Sequence, residues 1–328
     1  MKPYYEDELV TLYHGRCEDV LPQLETSGST HLLTDPPYFK VKDNDWDNQW
    51  SKAAHFLDWM GEWLDLAKPL VSADASVWVF ASPELTSAVE SVVAQRFKIL
   101  NSIRWVKQGS MAHRMSVASA RSHVSFWEGI VFAEMPGGET PLVSAPIGKY
   151  LAAERKRAGV TRSAVNSLFP STSGKVTNAL SNWELGYNMI TEQQYAKVRE
   201  LFGPGFLTRD YAELQAECAH LLEKHLATRR PFALKDRKML GDIWDFASVP
   251  SYPGRHPCEK PQALIAHMIE TTTRPGDTII DCFAGSGAVL DAARQAGRRA
   301  IGIEMDRHWC EKAAARLSQQ TFDLEGIA

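Results

Sequence analysis

Apolar and polar residues follow two different patterns along the chain, one at both ends and another in the middle. Short apolar runs bounded by turn residues recur at both ends, and such runs are typical of buried strands. Helical segments separate them, so both ends are predicted to be α/β. The predicted strands are residues 9–13, 30–33, 77–80, 98–105, 129–133, 278–281 and 300–304. The predicted helices are residues 19–24, 56–67, 83–95 (with Pro83 in the first turn), 288–296, one that begins at Pro261, and a closing one that ends near residue 317.

The middle of the chain shows a helical pattern without strands. Short helices are predicted at residues 151–158 and 175–183, and Thr161 and Thr191 are predicted to cap two more, because their hydroxyls suit a helix N-terminus. A stripe from residue 207 to 221 predicts an amphipathic helix. Residues 149–238 hold 15 Lys and Arg against 9 Asp and Glu, whereas the whole chain has a net charge of −4. These charges predict a basic helical module on an acidic body.

Composition and cysteine spacing exclude several classes of protein. The five cysteines are scattered and never form Cys-x-x-Cys. Neither a zinc site nor a disulfide framework is therefore predicted, and no metal is expected. The chain has no basic-then-apolar leader and no apolar run of membrane-spanning length, so we expect no membrane partner and a cytoplasmic location.

Asp35-Pro36-Pro37-Tyr38 directly follows the predicted strand 30–33. The two prolines fix the backbone as it leaves the sheet, so the Asp35 carboxylate, the proline carbonyls and the Tyr38 ring are expected to surround one small space. Such a space suits a planar ring with an exocyclic amine, and an unstacked nucleobase has this form. The same four residues are also typical of a simple turn at a strand end, so a second motif is needed.

The second motif is Phe283-Ala284-Gly285-Ser286-Gly287, between the predicted strand 278–281 and helix 288–296. With Glu304 at the end of the next strand, it is typical of the way α/β folds hold an adenosine. Gly-Lys-Ser/Thr is missing, which excludes a phosphate-binding loop, and Leu290 stands where a dinucleotide fold has its third glycine. An uncharged loop suits S-adenosylmethionine, which carries no phosphate.

In this order, the two motifs resemble those of the β class of amino-group DNA methyltransferases. The segment His256-Pro257-Cys258-Glu259-Lys260-Pro261 is similar to the family's His-Pro-x-x-Lys-Pro segment. The resemblance implies an α/β, S-adenosylmethionine-dependent methyltransferase fold: a seven-stranded, Rossmann-like, circularly permuted sheet with an inserted, mostly helical domain. It divides the chain into a catalytic half (1–140), a target-recognition insert (141–240) and a cofactor-binding half (241–328).

The resemblance also implies a reaction and its residues. The expected reaction transfers a methyl group from S-adenosylmethionine to adenine N6 in duplex DNA after base flipping. The catalytic residues are expected to be Asp35, Pro36, Pro37 and Tyr38. The expected cofactor contacts are Lys260, Asp281, Phe283, Ala284, Gly285, Ser286, Gly287 and Glu304. Gly15-Arg16-Cys17 and the ending Ala288-Val289 depart from the family's Gly-Asp-Cys and Thr-Thr, so one cofactor contact on the adenine side stays unassigned.

The insert around Trp183-Glu184-Leu185-Gly186 resembles a helix-turn-helix, as in some phage-type members. Double-stranded DNA is the implied partner in a bacterial or phage setting, while a homodimer and a cognate restriction endonuclease remain open. The candidate DNA contacts are Lys107, Arg114, Arg155, Arg157, Arg162, Lys175 and Asn178.

Other activities remain open beside adenine methylation. Cytosine N4 is the nearest, although the family more often has Ser before Pro-Pro-Tyr for that base. A DNA-binding regulator with an inactive fold and methylation of RNA or protein are further alternatives. Pro257-Cys258 suggests cytosine C5 methylation, but that class has its cofactor loop before the cysteine, and here the loop follows it.

Overall fold

The computed structural model describes residues 1–41, 47–107, 121–136, 144–228, 230–234 and 237–319. The chain forms two compact units, one of Met1–Gly138 with Arg230–Ala328 and the other of Glu139–Arg229. The sequence placed the end of the insert at residue 240, eleven residues later. Residues after Arg229 belong to the first unit because Arg230 pairs with Glu134 at 3.0 Å and Ile243–Trp244 joins the sheet.

The first unit is built on one nine-stranded sheet. Seven strands were predicted, and each of them is present. The two additional strands lie at the two edges and contain two residues each, too few to show an alternating pattern. The strands are β1 (Tyr5–Glu6), β2 (Val10–His14), β3 (Thr30–Thr34), β4 (Ser76–Ala81), β5 (Lys98–Val106), β6 (Trp127–Glu134), β7 (Ile243–Trp244), β8 (Thr278–Asp281) and β9 (Arg299–Glu304).

The strand order is β1-β2-β9-β8-β3-β4-β6-β5-β7. Strands β2, β9, β8, β3 and β4 run parallel, and β6 is antiparallel to both of its neighbours. The cofactor-half strands β8 and β9 therefore insert between β2 and β3 of the catalytic half, which is the permuted arrangement that the sequence predicted. Because β3 and β8 are parallel neighbours, their carboxyl ends lie side by side, where α/β sheets bind ligands.

Eleven α-helices occur in the described residues: α1 (Cys17–Val20), α2 (Ala53–Ala67), α3 (Thr86–Ala94), α4 (Ala145–Arg157), α5 (Arg162–Asn166), α6 (Ala179–Glu184), α7 (Glu192–Phe202), α8 (Tyr211–Thr228), α9 (Gln262–Thr272), α10 (Ala288–Gln295) and α11 (Arg307–Leu317). Short 3-10 turns follow α1 (Leu21–Gln23) and α2 (Lys68–Leu70), and a third precedes β7 (Arg237–Leu240). Pro83 was predicted in the first turn of a helix, but α3 begins at Thr86 and Pro83 lies in the preceding turn.

Helices cover both faces of the sheet, as the alternation of strands and helices predicts. Helices α9, α10 and α11 supply one apolar core, which includes Leu264 and Met268, and α2 and α3 supply the other, which includes Phe56 and Trp63. Strands buried on both faces explain the nearly continuous apolar runs of β3 and β4 in the sequence. No helix in the described ranges is long and apolar enough to cross a membrane.

The second unit consists of helices α4 to α8 around an apolar core of its own. Two predicted caps are confirmed: the Thr161 hydroxyl accepts from Ala164 N, and Thr191 forms a capping box with Gln194. Three helix starts differ from the prediction. Helix α4 begins six residues before residue 151, α6 begins at Ala179 rather than 175, and α8 begins at Tyr211 because Leu207 lies outside it at φ +48°.

The connection between α5 and α6 spans residues 167–178. A DNA-binding helix-turn-helix uses a turn of roughly three to four residues between its two helices. The helix-turn-helix in the insert therefore stays a prediction, with a connection that is longer than this motif uses.

Candidate active site

Thr34 joins the two predicted motifs at the carboxyl edge of the sheet. Its hydroxyl donates to Asp281 Oδ1 at 2.8 Å and accepts from the backbone amide of Cys282 at 3.1 Å. Thr34 ends β3 directly before Asp35, and Asp281 ends β8 directly before the glycine-rich loop. The Asp-Pro-Pro-Tyr segment and the loop are thus held together by one buried side chain.

The glycine-rich loop is fixed by carboxylates at the ends of β8 and β9. Asp281 Oδ1 accepts from Phe283 N at 3.1 Å, and Glu304 Oε2 accepts from Gly285 N at 2.7 Å. Gly287 has a φ of +79° and forms the N-cap of α10, a backbone conformation that a residue with a Cβ adopts only under strain. The loop therefore leads directly into the N-terminus of a buried helix.

The two motifs line one cleft, part of which is open to solvent. Gly287 alone among the predicted catalytic and cofactor residues is not part of the lining, since it lies behind the loop as the helix cap. The predicted residues that line the cleft are Asp35, Pro36, Pro37, Tyr38, Lys260, Asp281, Phe283, Ala284, Gly285, Ser286 and Glu304.

Asp35 forms the centre of a buried polar network. Its Oδ2 pairs with the Lys260 ammonium, whereas its Oδ1 is buried and has no hydrogen-bond partner among the described residues. The Tyr38 hydroxyl donates to Glu128 Oε2 at 3.1 Å, and the Lys260 ammonium lies 3.5 Å from the same oxygen. Lys107, which follows β5, donates to the other oxygen of Glu128.

The sequence interpretation made Lys260 a contact of the cofactor. In the structure, its ammonium contacts Asp35, Glu128 and the Cys258 carbonyl, the last at 3.2 Å. It also lies 5.1 Å from the centre of the Tyr38 ring. Lys260 thus lines the cleft as predicted, but its donors are directed to the protein itself.

Burial shifts the pKa of several groups in the cleft. Burial raises the pKa of Asp35, and the Lys260 ammonium opposes this rise. Burial also raises the pKa of Asp281 to about 7, while the Thr34 hydrogen bond acts in the opposite direction. The pKa of His256 falls to about 4 because the ring is buried, so its imidazole is neutral at pH 7. Burial therefore disfavours the charged form of both carboxyl groups, and the Lys260 ammonium opposes this effect at Asp35.

These residues fit S-adenosylmethionine better than a phosphorylated ligand. The loop offers backbone amides without a lysine, and the carboxylates of Asp35, Asp281 and Glu304 line the cleft. Such carboxylates attract the positive sulfonium and ammonium groups of this cofactor and repel phosphates. Among the residues that the structure describes, no group of His, Cys, Asp and Glu is arranged to hold a metal ion.

The predicted DNA contacts are only partly free for DNA. Glu184, whose side chain is 4% exposed, accepts from Arg155 at 2.5 Å and from Arg162 at 3.0 Å. Arg155 is 11% exposed and serves the packing of the helical unit, whereas Arg162 keeps 62% of its side-chain surface. Arg157 pairs with Glu154 and remains 54% exposed.

The remaining candidates lie on loops. Lys175 is exposed in the connection between α5 and α6, and Asn178 stands at the N-cap of α6 without a side-chain cap bond. Lys107 belongs to the first unit, where it is 40% exposed and pairs with Glu128. Arg114 lies outside the described residues.

Two groups of site residues were not found from the sequence. Glu128 lies in an apolar strand, and an acidic residue at 9% exposure in such a strand is itself a signal of a buried ion pair. Trp59 and Trp63 of α2 pack against the Phe283 ring with centroid distances of 5.4 and 5.2 Å. Their spacing of four residues predicted only a buried helix face.

The fold and this cleft define an S-adenosylmethionine-dependent methyltransferase, and comparison with known proteins gives the family. Residues 30–315 match the model of the N6/N4 methyltransferase family, described as DNA methylase. Type II methyltransferase M2.DpnII of Streptococcus pneumoniae is 23% identical over 97% of this chain and 93% of its own length. M2.LlaDCHI of Lactococcus lactis subsp. cremoris is 22% identical over 97% and 93%.

Solved structures show the same fold. The complex of M1.HpyAVI with S-adenosylmethionine aligns with a TM-score of 0.53 at 18% identity, covering 95% of this chain and all of that one. The cytosine-N4-specific PvuII DNA methyltransferase aligns with a TM-score of 0.57 at 12% identity, covering 98% and 90%. The chain belongs to the N6/N4 DNA methylase family, and it is a DNA methyltransferase, as the resemblance of its motifs predicted.

Proposed function

We propose that this protein transfers the methyl group of S-adenosylmethionine to N6 of adenine in duplex DNA. The observation that carries the proposal is the buried Oδ1 of Asp35, which has no hydrogen-bond partner in the described part of the chain and belongs to a residue that lines the cleft shared with the glycine-rich loop. An unpaired buried acceptor is costly, and an exocyclic amine supplies the donor that it lacks.

In this proposal, Asp35 Oδ1 accepts one N–H of the target amine, and the Pro36 carbonyl accepts the other. These bonds orient the nitrogen lone pair and stabilise the positive charge that develops on nitrogen during transfer. The rings of Pro37 and Tyr38 provide the apolar wall against which a flipped base stacks. S-adenosylmethionine supplies the electrophilic methyl group on its sulfonium when it is bound.

The cofactor is held by the second motif in this proposal. Glu304 accepts from the ribose hydroxyls, since each of its oxygens has a second lone pair beyond the one used for Gly285 N or Asp306 N. Asp281 faces the positive amino acid end, and the Phe283 ring packs beside the adenine. Ala284, Gly285, Ser286 and Gly287 keep the backbone close to the ligand.

The helical unit, Glu139–Arg229, is proposed to recognise the DNA target. Support comes from the exposed side chains of Arg157, Arg162 and Lys175, in a unit that holds 11 Lys and Arg against 9 Asp and Glu. With cellular or phage DNA as its substrate, the proposed location of the protein is the cytoplasm. The names of its relatives, Type II methyltransferases, suggest a cognate restriction endonuclease, and a homodimer is the proposed assembly to test beside a monomer.

The test uses the full chain, labelled S-adenosylmethionine and unmethylated bacterial DNA, followed by digestion to nucleosides. We expect the label in N6-methyladenine, with duplex DNA preferred over single-stranded DNA and RNA. Label in N4-methylcytosine would assign the other base of the family to the same amine pocket. No label in any nucleoside, although the cofactor binds in calorimetry, would overturn the proposed substrate.

A further inference from the structure

A buried acidic residue outside both motifs, Glu128, contacts two of the residues around Asp35. It lies on β6, and it is 9% exposed. Its Oε2 accepts from the Tyr38 hydroxyl and lies 3.5 Å from the Lys260 ammonium, while its Oε1 accepts from Lys107. A buried carboxylate on an apolar strand is costly unless its partners are fixed, so this arrangement needs a reason beyond packing.

The Lys260 ammonium is directed to groups of the protein. Its side chain is 5% exposed, and its ammonium donates to Asp35 Oδ2 and to the Cys258 carbonyl at 3.2 Å and lies 3.5 Å from Glu128 Oε2. Its charge is enclosed further by the rings of Tyr38 and Phe80, whose centres lie 5.1 and 4.9 Å away. The ammonium is therefore shared between two carboxylates, only one of which lines the cleft.

Because the Lys260 ammonium interacts with both Asp35 and Glu128, only part of its charge acts on Asp35. Without Glu128, the Lys260 ammonium would pair with Asp35 alone and could occupy either of its oxygens. With Glu128 on the opposite side, Lys260 is held at Oδ2, and Oδ1 stays free for the substrate. The Tyr38 hydroxyl is anchored at the same carboxylate, so one side chain fixes both the charge and the aromatic wall of the pocket.

We propose that Glu128 is a positioning residue for methyl transfer, which holds Lys260 and Tyr38 so that Oδ1 of the Asp35 carboxylate stays free and is directed to the target amine. This inference rests on the proposed function of Asp35. The charged and titratable groups around Asp35 are Lys260 and Cys258 before α9, Tyr38 after β3, Glu128 on β6 with its partner Lys107, and Asp281 at the end of β8.

The signs of the expected changes follow from these charges. Glu128 raises and Lys260 lowers the pKa of Asp35. In Glu128→Gln, which keeps the size of the side chain, we expect the pKa of Asp35 to fall because a neighbouring negative charge is removed. In Lys260→Met, we expect the pKa of Asp35 to rise because its paired cation is lost. Lys107→Met affects a side chain that is 40% exposed, and it should raise the pKa of Asp35 slightly, since Glu128 is then less neutralised.

Two measurements on the full chain test the proposal. The first is carbon NMR of the protein labelled at the aspartate carboxyl carbon, with the Asp35 signal identified by its absence in Asp35→Asn. The second is the single-turnover rate of methyl transfer to DNA as a function of pH. In Glu128→Gln, we expect the acid limb of the pH–rate profile to move to lower pH together with the Asp35 titration seen by NMR. We also expect the plateau rate to fall about tenfold, because Tyr38 and Lys260 lose the carboxylate that holds them in position.

Glu134→Gln is the matched control, because Glu134 lies on the same strand, is 8% exposed and pairs with Arg230 and Lys98. It should lose stability without moving the Asp35 titration or the rate profile. A Glu128→Gln variant that behaves like Glu134→Gln in both measurements would overturn the proposal. A Lys260→Met variant that binds S-adenosylmethionine at least tenfold more weakly, with the Asp35 titration unchanged, would assign Lys260 to the cofactor instead and also overturn it. If the wild type transfers no methyl group to DNA, the proposed function fails, and the NMR titration still decides the role of Glu128.

Discussion

Replacing Thr34 by valine removes the hydroxyl that joins the two halves of the site. Thr34 is fully buried, and its hydroxyl bonds to Asp281 at 2.8 Å and to the amide of Cys282 at 3.1 Å. Valine keeps the β-branched shape that suits a strand, so packing should change little. The variant leaves a buried amide without an acceptor and a buried carboxylate with one donor fewer. Each such loss costs about 1–3 kcal/mol, so we expect the free energy of unfolding to fall by about 2–4 kcal/mol.

The same variant should weaken cofactor binding in a pH-dependent manner. The Thr34 hydrogen bond favours the ionised form of Asp281, whose pKa is already raised to about 7 by burial. Its loss raises this pKa further, so a smaller fraction of Asp281 is ionised at pH 7.5. We expect S-adenosylmethionine to bind roughly three- to tenfold more weakly at this pH, with partial recovery at pH 9.

Urea denaturation measures the first effect, and calorimetric titration with S-adenosylmethionine measures the second. Thr34→Ser is the control, because serine keeps the hydroxyl and should retain most of the stability and nearly all of the affinity. A Thr34→Val variant that unfolds and binds the cofactor like the wild type would refute the view that this hydroxyl joins the two motifs.

Three further predictions concern the cofactor loop, its acidic neighbour and the helical unit. Affinity for S-adenosylmethionine should fall as the pH drops below about 7, because Asp281, whose pKa is about 7, becomes neutral. Calorimetric titrations between pH 5.5 and 8.5 measure this dependence, and an affinity that stays constant over this range would contradict the prediction. Gly287→Ala should lower the free energy of unfolding by about 1–2 kcal/mol, because the backbone at Gly287 has a φ of +79°, which alanine adopts only under strain. An unchanged midpoint of urea denaturation would contradict this prediction. Glu184→Gln should destabilise the chain by about 3 kcal/mol because Arg155 loses its buried partner, whereas the exposed Arg162→Ala should cost less than about 1 kcal/mol. Equal losses in the two variants would argue against this difference.

The arrangement of the sheet follows closely from the sequence because its strands are buried on both faces. Each of the seven predicted strands is present, and the permuted sheet that the order of the motifs implied is observed, with β8 and β9 inserted between β2 and β3. The edge strands β1 and β7 were missed because two residues carry no periodic signal. The helical unit ends at Arg229, eleven residues before the predicted end of the insert, and Arg230 and β7 belong to the first unit.

Helix starts were less accurate than helix caps. Thr161 and Thr191 were recognised because the hydroxyl of an N-cap residue accepts from a backbone amide three residues later. An interaction this local leaves a pattern in the sequence. Helix α4 begins earlier than predicted, since its first turn contains Pro146 and Gly148, residues that usually signal a break. Gly148 lies there because a Cβ at this position would meet the Trp183 carbonyl at 2.2 Å.

The motifs of the site were visible in the sequence, but the connections between them were not. Asp35 and Lys260 are 225 residues apart in the sequence. Their ion pair forms because the segment before α9 lies next to the carboxyl end of β3. Glu128 and Thr34 belong to ordinary strand patterns that predict burial rather than chemistry. The tertiary structure determines which charged side chains pair with each other, and this pairing affects the pKa of Asp35.

The most direct test of the account compares the wild type with Asp35→Ala in two measurements on the same preparations. These are calorimetric binding of S-adenosylmethionine and transfer of its labelled methyl group to unmethylated duplex DNA. Asp65→Ala, which removes an exposed carboxylate paired with Arg96, is the control. We predict that Asp35→Ala binds the cofactor nearly as well as the wild type but transfers methyl groups at least about 100-fold more slowly, because the target amine loses its acceptor. An Asp35→Ala variant that methylates DNA at the rate of the wild type would contradict the central role of Asp35.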